Sequence, residues 1–116
     1  MKLFLSFLLV GLTTISCAQN RVSQTEFKKL MKDPSAQLLD VRTSKEVAEG
    51  KIAGSMNIDY FSASFISTAQ KKLDKNKPVL VYCAAGGRSA SAAKDLKKAG
   101  FKKVYDLEGG YDAWKE

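Results

Sequence analysis

The 116-residue chain contains no histidine. Within the chain this excludes Ser–His–Asp and Cys–His nucleophilic systems, and it excludes any histidine-ligated metal or haem. Only two cysteines are present, Cys17 and Cys83. That is too few for a zinc–thiolate cage or a disulfide-stapled scaffold. No metal and no cofactor are therefore expected. Proline is scarce, at two residues, and glycine is ordinary, at eight, so collagen-like and low-complexity architectures are out. What remains is globular composition, 45% apolar and 27% charged, in a length that suits one domain.

The first residues read as an address. Residues 1–18, MKLFLSFLLVGLTTISCA, combine a positive Lys2, an apolar run from Leu3 to Leu12 and a tail of small and polar residues, the layout of an export signal. The apolar run is shorter than the roughly 20 residues that span a bilayer. Two processing schemes compete. Ser16-Cys17-Ala18 fits cleavage after Ala18. Thr14-Ile15-Ser16-Cys17 resembles a lipobox, with Thr14 where Leu is usual, and makes Cys17 a lipidation candidate. Either scheme sends the protein out of the bacterial cytoplasm, to the periplasm or cell envelope, and the second anchors it there.

From residue 22 to 116 short apolar runs alternate with amphipathic stretches. Ser23-x-x-Glu26 and Thr43-x-x-Glu46 are capping boxes and predict helix starts. The first helix turns Phe27, Leu30 and Met31 inward and stops at Asp33-Pro34; the second ends at Gly50. Gln37–Val41 suits a buried strand and Ser55–Ile58 a short extended piece. Phe61, Phe65, Ile66, Ala69 and Leu73 form a helical stripe over 61–73. Val79-Leu80-Val81-Tyr82 has no polar alternation, which predicts a strand covered on both faces, as in a parallel sheet. A helix over 89–99, a strand over 103–107 and a short terminal helix carrying Trp114 complete an α/β pattern.

The chemistry concentrates where that apolar strand delivers Cys83 into Ala84-Ala85-Gly86-Gly87-Arg88-Ser89. Ligand sites of open α/β sheets lie at the carboxyl ends of strands. Gly86 and Gly87 free the backbone, so the N–H groups of residues 84–89 can curl around one point and form an anion nest at a helix N-terminus. A thiol at its focus is favoured in its ionised, nucleophilic form. Arg88 adds a positive charge at the rim, and the small Ala84 and Ala85 leave an open mouth. With neither a resolving cysteine nor a histidine beside it, such a thiolate is suited to attack on phosphorus or on a sulfane sulfur. The loop length separates the two. Cysteine phosphatases wrap a tetrahedral phosphate with C-x5-R; here Cys83 to Arg88 is C-x4-R, a ring better sized for a single outer sulfur.

Three segments together resemble the single-domain rhodanese family. They are Leu39-Asp40-Val41-Arg42 with Glu46, Glu49-Gly50 and Ile52-Ala53-Gly54-Ser55-Met56-Asn57-Ile58; Tyr82-Cys83-x-x-Gly86-x-Arg88-Ser89; and Gly100-Phe101 with Val104, Leu107-Glu108-Gly109-Gly110 and Trp114. Lys51 departs from the family, which often has histidine there. The resemblance implies a rhodanese-like α/β fold, a small central parallel sheet with helices on both faces. It implies a sulfurtransferase that moves a sulfane sulfur from a donor such as thiosulfate to cyanide or a thiol through a Cys83 persulfide. Ala84, Ala85, Gly86, Gly87, Arg88 and Ser89 would hold the persulfide, with Arg88 orienting the anionic donor or bracing the loop. The alternative on the same fold is a non-catalytic sulfur carrier or protein-interaction module.

Asp40, Arg42 and Glu46 read as structural support, an ion-paired group bracing the sheet edge. Phe101 and Trp114 read as core. The net charge of +7 gathers in Lys71, Lys72, Lys75 and Lys77 and in Lys94, Lys97, Lys98, Lys102 and Lys103. These suit solvated helix faces, attraction to anionic lipid beside a lipidated Cys17, or steering of an anionic donor. No aromatic interleaving marks them as a nucleic-acid surface.

Overall fold

The computed structural model describes residues 20–116. The address-like segment 1–18, with Cys17, lies outside the described residues. The elements run β1 (Arg21–Val22), α1 (Gln24–Leu30), β2 (Gln37–Asp40), α2 (Ser44–Ala48), β3 (Met56–Asn57), α3 (Phe65–Lys72), β4 (Val79–Tyr82), α4 (Gly87–Lys98) and β5 (Val104–Leu107), then a 3-10 turn at Tyr111–Ala113. The five strands form one parallel sheet in the order β1-β5-β4-β2-β3. β4 lies at its centre, all four of its residues buried.

Period-two alternation along β4 divides the core. Val79, Val81 and Cys83 pack with Phe65, Ala69, Ala92, Ala93, Leu96 and Phe101 on the α3–α4 face. Leu80 and Tyr82 pack with Phe27, Ile52 and Leu107 on the other, where Leu30, Met31 and Trp114 close over them. Helices therefore cover both faces, as the unalternated Val79–Tyr82 run requires. Phe101 is in the core, and Trp114 is half-buried with its ring edge-on to Phe27 at 6.1 Å.

Both helix starts lie where the capping residues place them. The Ser23 side chain accepts the Glu26 N–H, and the Thr43–Glu46 box is complete in both directions. Tyr82 ties the sheet to the segment containing Lys51. Its buried hydroxyl donates to Asp40 Oδ2 at 2.8 Å and accepts the Ile52 N–H at 3.1 Å.

Several expectations need correction. α3 begins at Phe65, not Phe61. Asp59 accepts the Phe61 N–H and Ser62 the Ser64 N–H, so local side-chain bonds hold residues 59–64 in turns and compete with helix. Phe61 is 71% exposed instead of facing inward. α4 starts at Gly87, two residues early. The terminal helix is only a 3-10 turn, and the two-residue β1, paired in parallel with β5, is an addition.

Candidate active site

β4 ends at Tyr82 and Cys83 follows at the carboxyl edge of the sheet. The chain then turns through Ala84–Gly86 into α4. Gly86 has φ +120, a conformation open to glycine and strained for other residues. This turn brings the Gly86 N–H to 3.0 Å from Cys83 Sγ. The Ser89 N–H approaches the same sulfur at 3.3 Å. Ser89 stands in the first turn of α4, where an N–H has no intrahelical acceptor, and the positive end of the helix dipole adds to the field at the sulfur. Ser89 Oγ lies 3.4 Å from Sγ, accepting the S–H, and itself donates to the Gly86 carbonyl at 3.3 Å.

The crown of amides is narrower than expected: Gly86 and Ser89 supply the N–H bonds to the resting sulfur. The mouth is also not open. Cys83 is 1% exposed. Ala85 and Gly87 are exposed.

Arg88 forms a bidentate pair with Glu46, at 2.8 and 2.9 Å. The pair links α4 to α2, and Arg88 also lies over the Phe61 ring at 5.8 Å. The Arg88 hydrogen bond, then the Thr43 N–H, hold the Glu46 carboxyl down at about 2.

The expected grouping of Asp40 and Arg42 with Glu46 is corrected accordingly. Arg42 folds back on Asp40 two residues earlier, with its Nη2 2.7 Å from Asp40 Oδ2 and 2.7 Å from the Gly50 carbonyl. Its contact with Glu46 is a long one to the backbone carbonyl, 3.5 Å. The Asp40 hydrogen bond raises Arg42 above its ordinary value, and the pair is almost wholly buried. The separation has a simple cause: Glu46 is committed to the Thr43 cap and to Arg88, leaving Asp40 as Arg42's carboxylate.

One part of the site was not anticipated. After Gly109-Gly110 the chain passes directly behind Cys83. The Tyr111 N–H donates to the Cys83 carbonyl at 2.8 Å and the Asp112 N–H to the Ala84 carbonyl at 2.9 Å. These bonds hold the carbonyl side of the loop. The signal was present in the Gly-Gly pair, which marks a place where backbone meets backbone.

A family model described as rhodanese-like domain matches residues 23–116. The chain is 38% identical over 95 residues to the thiosulfate sulfurtransferase GlpE of Coxiella burnetii, covering 82% of this chain and 86% of that one. It is 37% identical over 91 residues to the protein of the same name from Pseudomonas aeruginosa, covering 78% and 79%. Among solved structures it is similar to a rhodanese-related protein of Thermoplasma volcanium, with 33% identity, TM-score 0.70 and 82% and 89% of the two chains covered. It is also similar to a rhodanese-like domain protein of Staphylococcus aureus, with 31% identity, TM-score 0.71 and 84% and 92% covered. A central parallel strand that ends in a cysteine, a glycine-bearing turn whose amides meet its sulfur, and relatives matched along nearly the whole folded region place this chain in the rhodanese-like family.

Proposed function

We propose that the protein is a sulfurtransferase that works through a persulfide on Cys83. The observation that carries this reading is the convergence of the Gly86 and Ser89 N–H groups on one sulfur, at 3.0 and 3.3 Å, at a helix N-terminus. The relatives named thiosulfate sulfurtransferase support the choice of chemistry. Cys83 thiolate attacks the outer sulfur of thiosulfate. The sulfur–sulfur bond of the donor breaks, sulfite leaves with the bonding pair, and Cys83 carries the transferred sulfur as a persulfide anion. Cyanide then attacks that outer sulfur, leaves as thiocyanate and returns Cys83 thiolate; a thiol acceptor leaves instead as its own persulfide. The Gly86 and Ser89 amides, which meet the resting sulfur, are the donors for the anion at both stages. Each well-aimed donor in such a site contributes about 3 kcal/mol to the barrier reduction. Arg88 acts by holding the loop through Glu46.

The test is intact mass after incubation of the reduced protein with thiosulfate. Wild type gains one sulfur and Cys83→Ser gains none. A reduced wild type that gains nothing overturns the reading. The burial of Cys83, 1% exposed, favours a second reading, a non-catalytic carrier or interaction module. Steady-state turnover with thiosulfate and cyanide separates the two, because only the enzyme releases sulfite and thiocyanate continuously.

The proposal extends to location. Export directed by residues 1–18, with lipidation of Cys17 as the anchoring step, would place the domain at the bacterial envelope. Fatty-acid labelling of wild type but not of Cys17→Ala is the expected result; equal labelling of both removes the anchor.

A further inference from the structure

We infer that Arg21 is a positioning residue for chemistry at Cys83: anchored on the buried Asp106, it holds the Gly86 carbonyl and so sets the aim of the Gly86 N–H at the sulfur. The inference rests on the sulfurtransferase reading for the reaction it affects, but the geometry stands on its own. Arg21 is 65 residues from Gly86 and 85 from Asp106 in the chain. Strand pairing of β1 with β5 puts Arg21 directly beside Asp106. Arg21 Nε and Nη2 donate to Asp106 Oδ2 at 3.0 and 2.7 Å, and the same Nη2 donates to the Gly86 carbonyl at 2.7 Å. Asp106 is only 2% exposed, while the Arg21 side chain is 37% exposed.

A guanidinium is a rigid planar fork. Two of its nitrogens, Nε and Nη2, are taken up on the one Asp106 oxygen, which orients the plane and with it the direction of the remaining Nη2 donor. That direction meets the carbonyl of the one loop residue that lacks a side chain, has φ +120 and sends its N–H to the nucleophile. Without a Cβ such a residue rotates readily, and a hold on its carbonyl end limits where its N–H end can point. The Gly86 carbonyl also receives the Ala90 N–H at 3.1 Å and Ser89 Oγ at 3.3 Å. These two come from α4 itself and move with it. Of the three contacts on the Gly86 carbonyl, Arg21 is the one that comes from the sheet. A Cβ on Gly86 would lie 3.1 Å from Arg21 Nη2, so the close approach is built around the glycine.

Removing Arg21 alone would strand the buried Asp106, so the test uses two variants that keep the fold. Arg21→Lys keeps a cation for Asp106 but lacks the fork that reaches Gly86. Arg21→Met combined with Asp106→Leu removes both charges and leaves apolar volume, an exchange that is often neutral for stability. Three quantities are read in the full chain: sulfite release in a single turnover at saturating thiosulfate, the half-saturating thiosulfate concentration, and the Gly86 amide resonance. We expect release to slow about ten- to a hundredfold, as small misplacements at a reacting centre do. The half-saturating concentration stays within about twofold in the same variants, since a positioning loss falls on the chemical step. The Gly86 amide proton moves as its bond to sulfur lengthens, and the melting temperature of Arg21→Lys stays near wild type. Wild-type release together with an unmoved Gly86 amide in folded Arg21→Lys overturns the inference, whatever happens to the double variant. A wild-type protein that releases no sulfite overturns the sulfurtransferase reading instead, and the Gly86 amide still decides the role of Arg21.

Discussion

Gly110 approaches Cys83 from behind and brings no side chain with it. Its φ of +60 is paired with ψ −163, a region essentially confined to glycine. A Cβ there would lie within 2.5 Å of the Cys83 carbonyl oxygen and closer still to that of Ala84. Gly110→Ala should therefore destabilise the fold by about 3 kcal/mol or more, from backbone strain and forced displacement together. Chemical denaturation gives the measurement, and Gly87→Ala, where nothing beyond the chain neighbours and the helix's own backbone lies within 4 Å of the added carbon, is the control expected to stay near wild type. At this scale Cys83, Gly86 and Ser89 were legible in the sequence because a strand, two glycines and a helix start are local signals. The burial of Cys83 was not, because the small loop residues say nothing of how closely the loop lies on the sulfur. Gly110 showed itself as a turn but not as a neighbour of Cys83, since that meeting depends on two distant segments crossing.

Between elements, the Glu46–Arg88 pair joins α2 to α4, and its energetics depend on acidity. Glu46 is held down at about 2 against an ordinary 4.5. A carboxyl lowered in the folded state lends stability that is whole above its unfolded value and is lost as pH falls through its folded value. The contribution is thus present above about pH 5 and fades between roughly pH 4.5 and 2. Glu46→Gln should lower the melting temperature near neutrality and flatten its fall across that acid window; identical pH profiles for the two proteins would contradict the pairing. Thr43→Ala, which removes the hydroxyl bonds to Glu46 and leaves the residue-43 N–H bond in place, should cost about 1 kcal/mol, read by denaturant titration. Both helix starts were readable from capping residues. The pairing of charges was not: Asp40, Arg42 and Glu46 are neighbours in sequence, whereas Arg88 reaches Glu46 from 42 residues away. The start of α3 was misplaced for a related reason. The periodicity of Phe61 with Phe65 is helical, but the Asp59 and Ser62 side chains claim the intervening backbone.

For the molecule as a whole, the net charge of +7 acts on every anionic donor before any contact forms. Sulfur transfer from thiosulfate should therefore slow as salt rises, about severalfold in kcat/KM between low and physiological ionic strength, with kcat unaffected. A neutral or thiol acceptor supplies the comparison, and equal salt sensitivity for both would remove the steering. The architecture at this scale was the most readable part. Four apolar residues without alternation, Val79–Tyr82, fix a strand with two covered faces, and the helices between strands then demand parallel connections. Strand order was not readable, because β1 is two residues long and carries no hydrophobic pattern.

The brevity of the outermost strands has its own effect. β1 and β3 flank the sheet with two residues each, so the hydrogen-bonding margin offered to a passing chain ends almost as soon as it begins. Long bare margins are the templates on which folded proteins stack into fibres. A domain bounded this way can be held at high local density without one copy extending the sheet of the next.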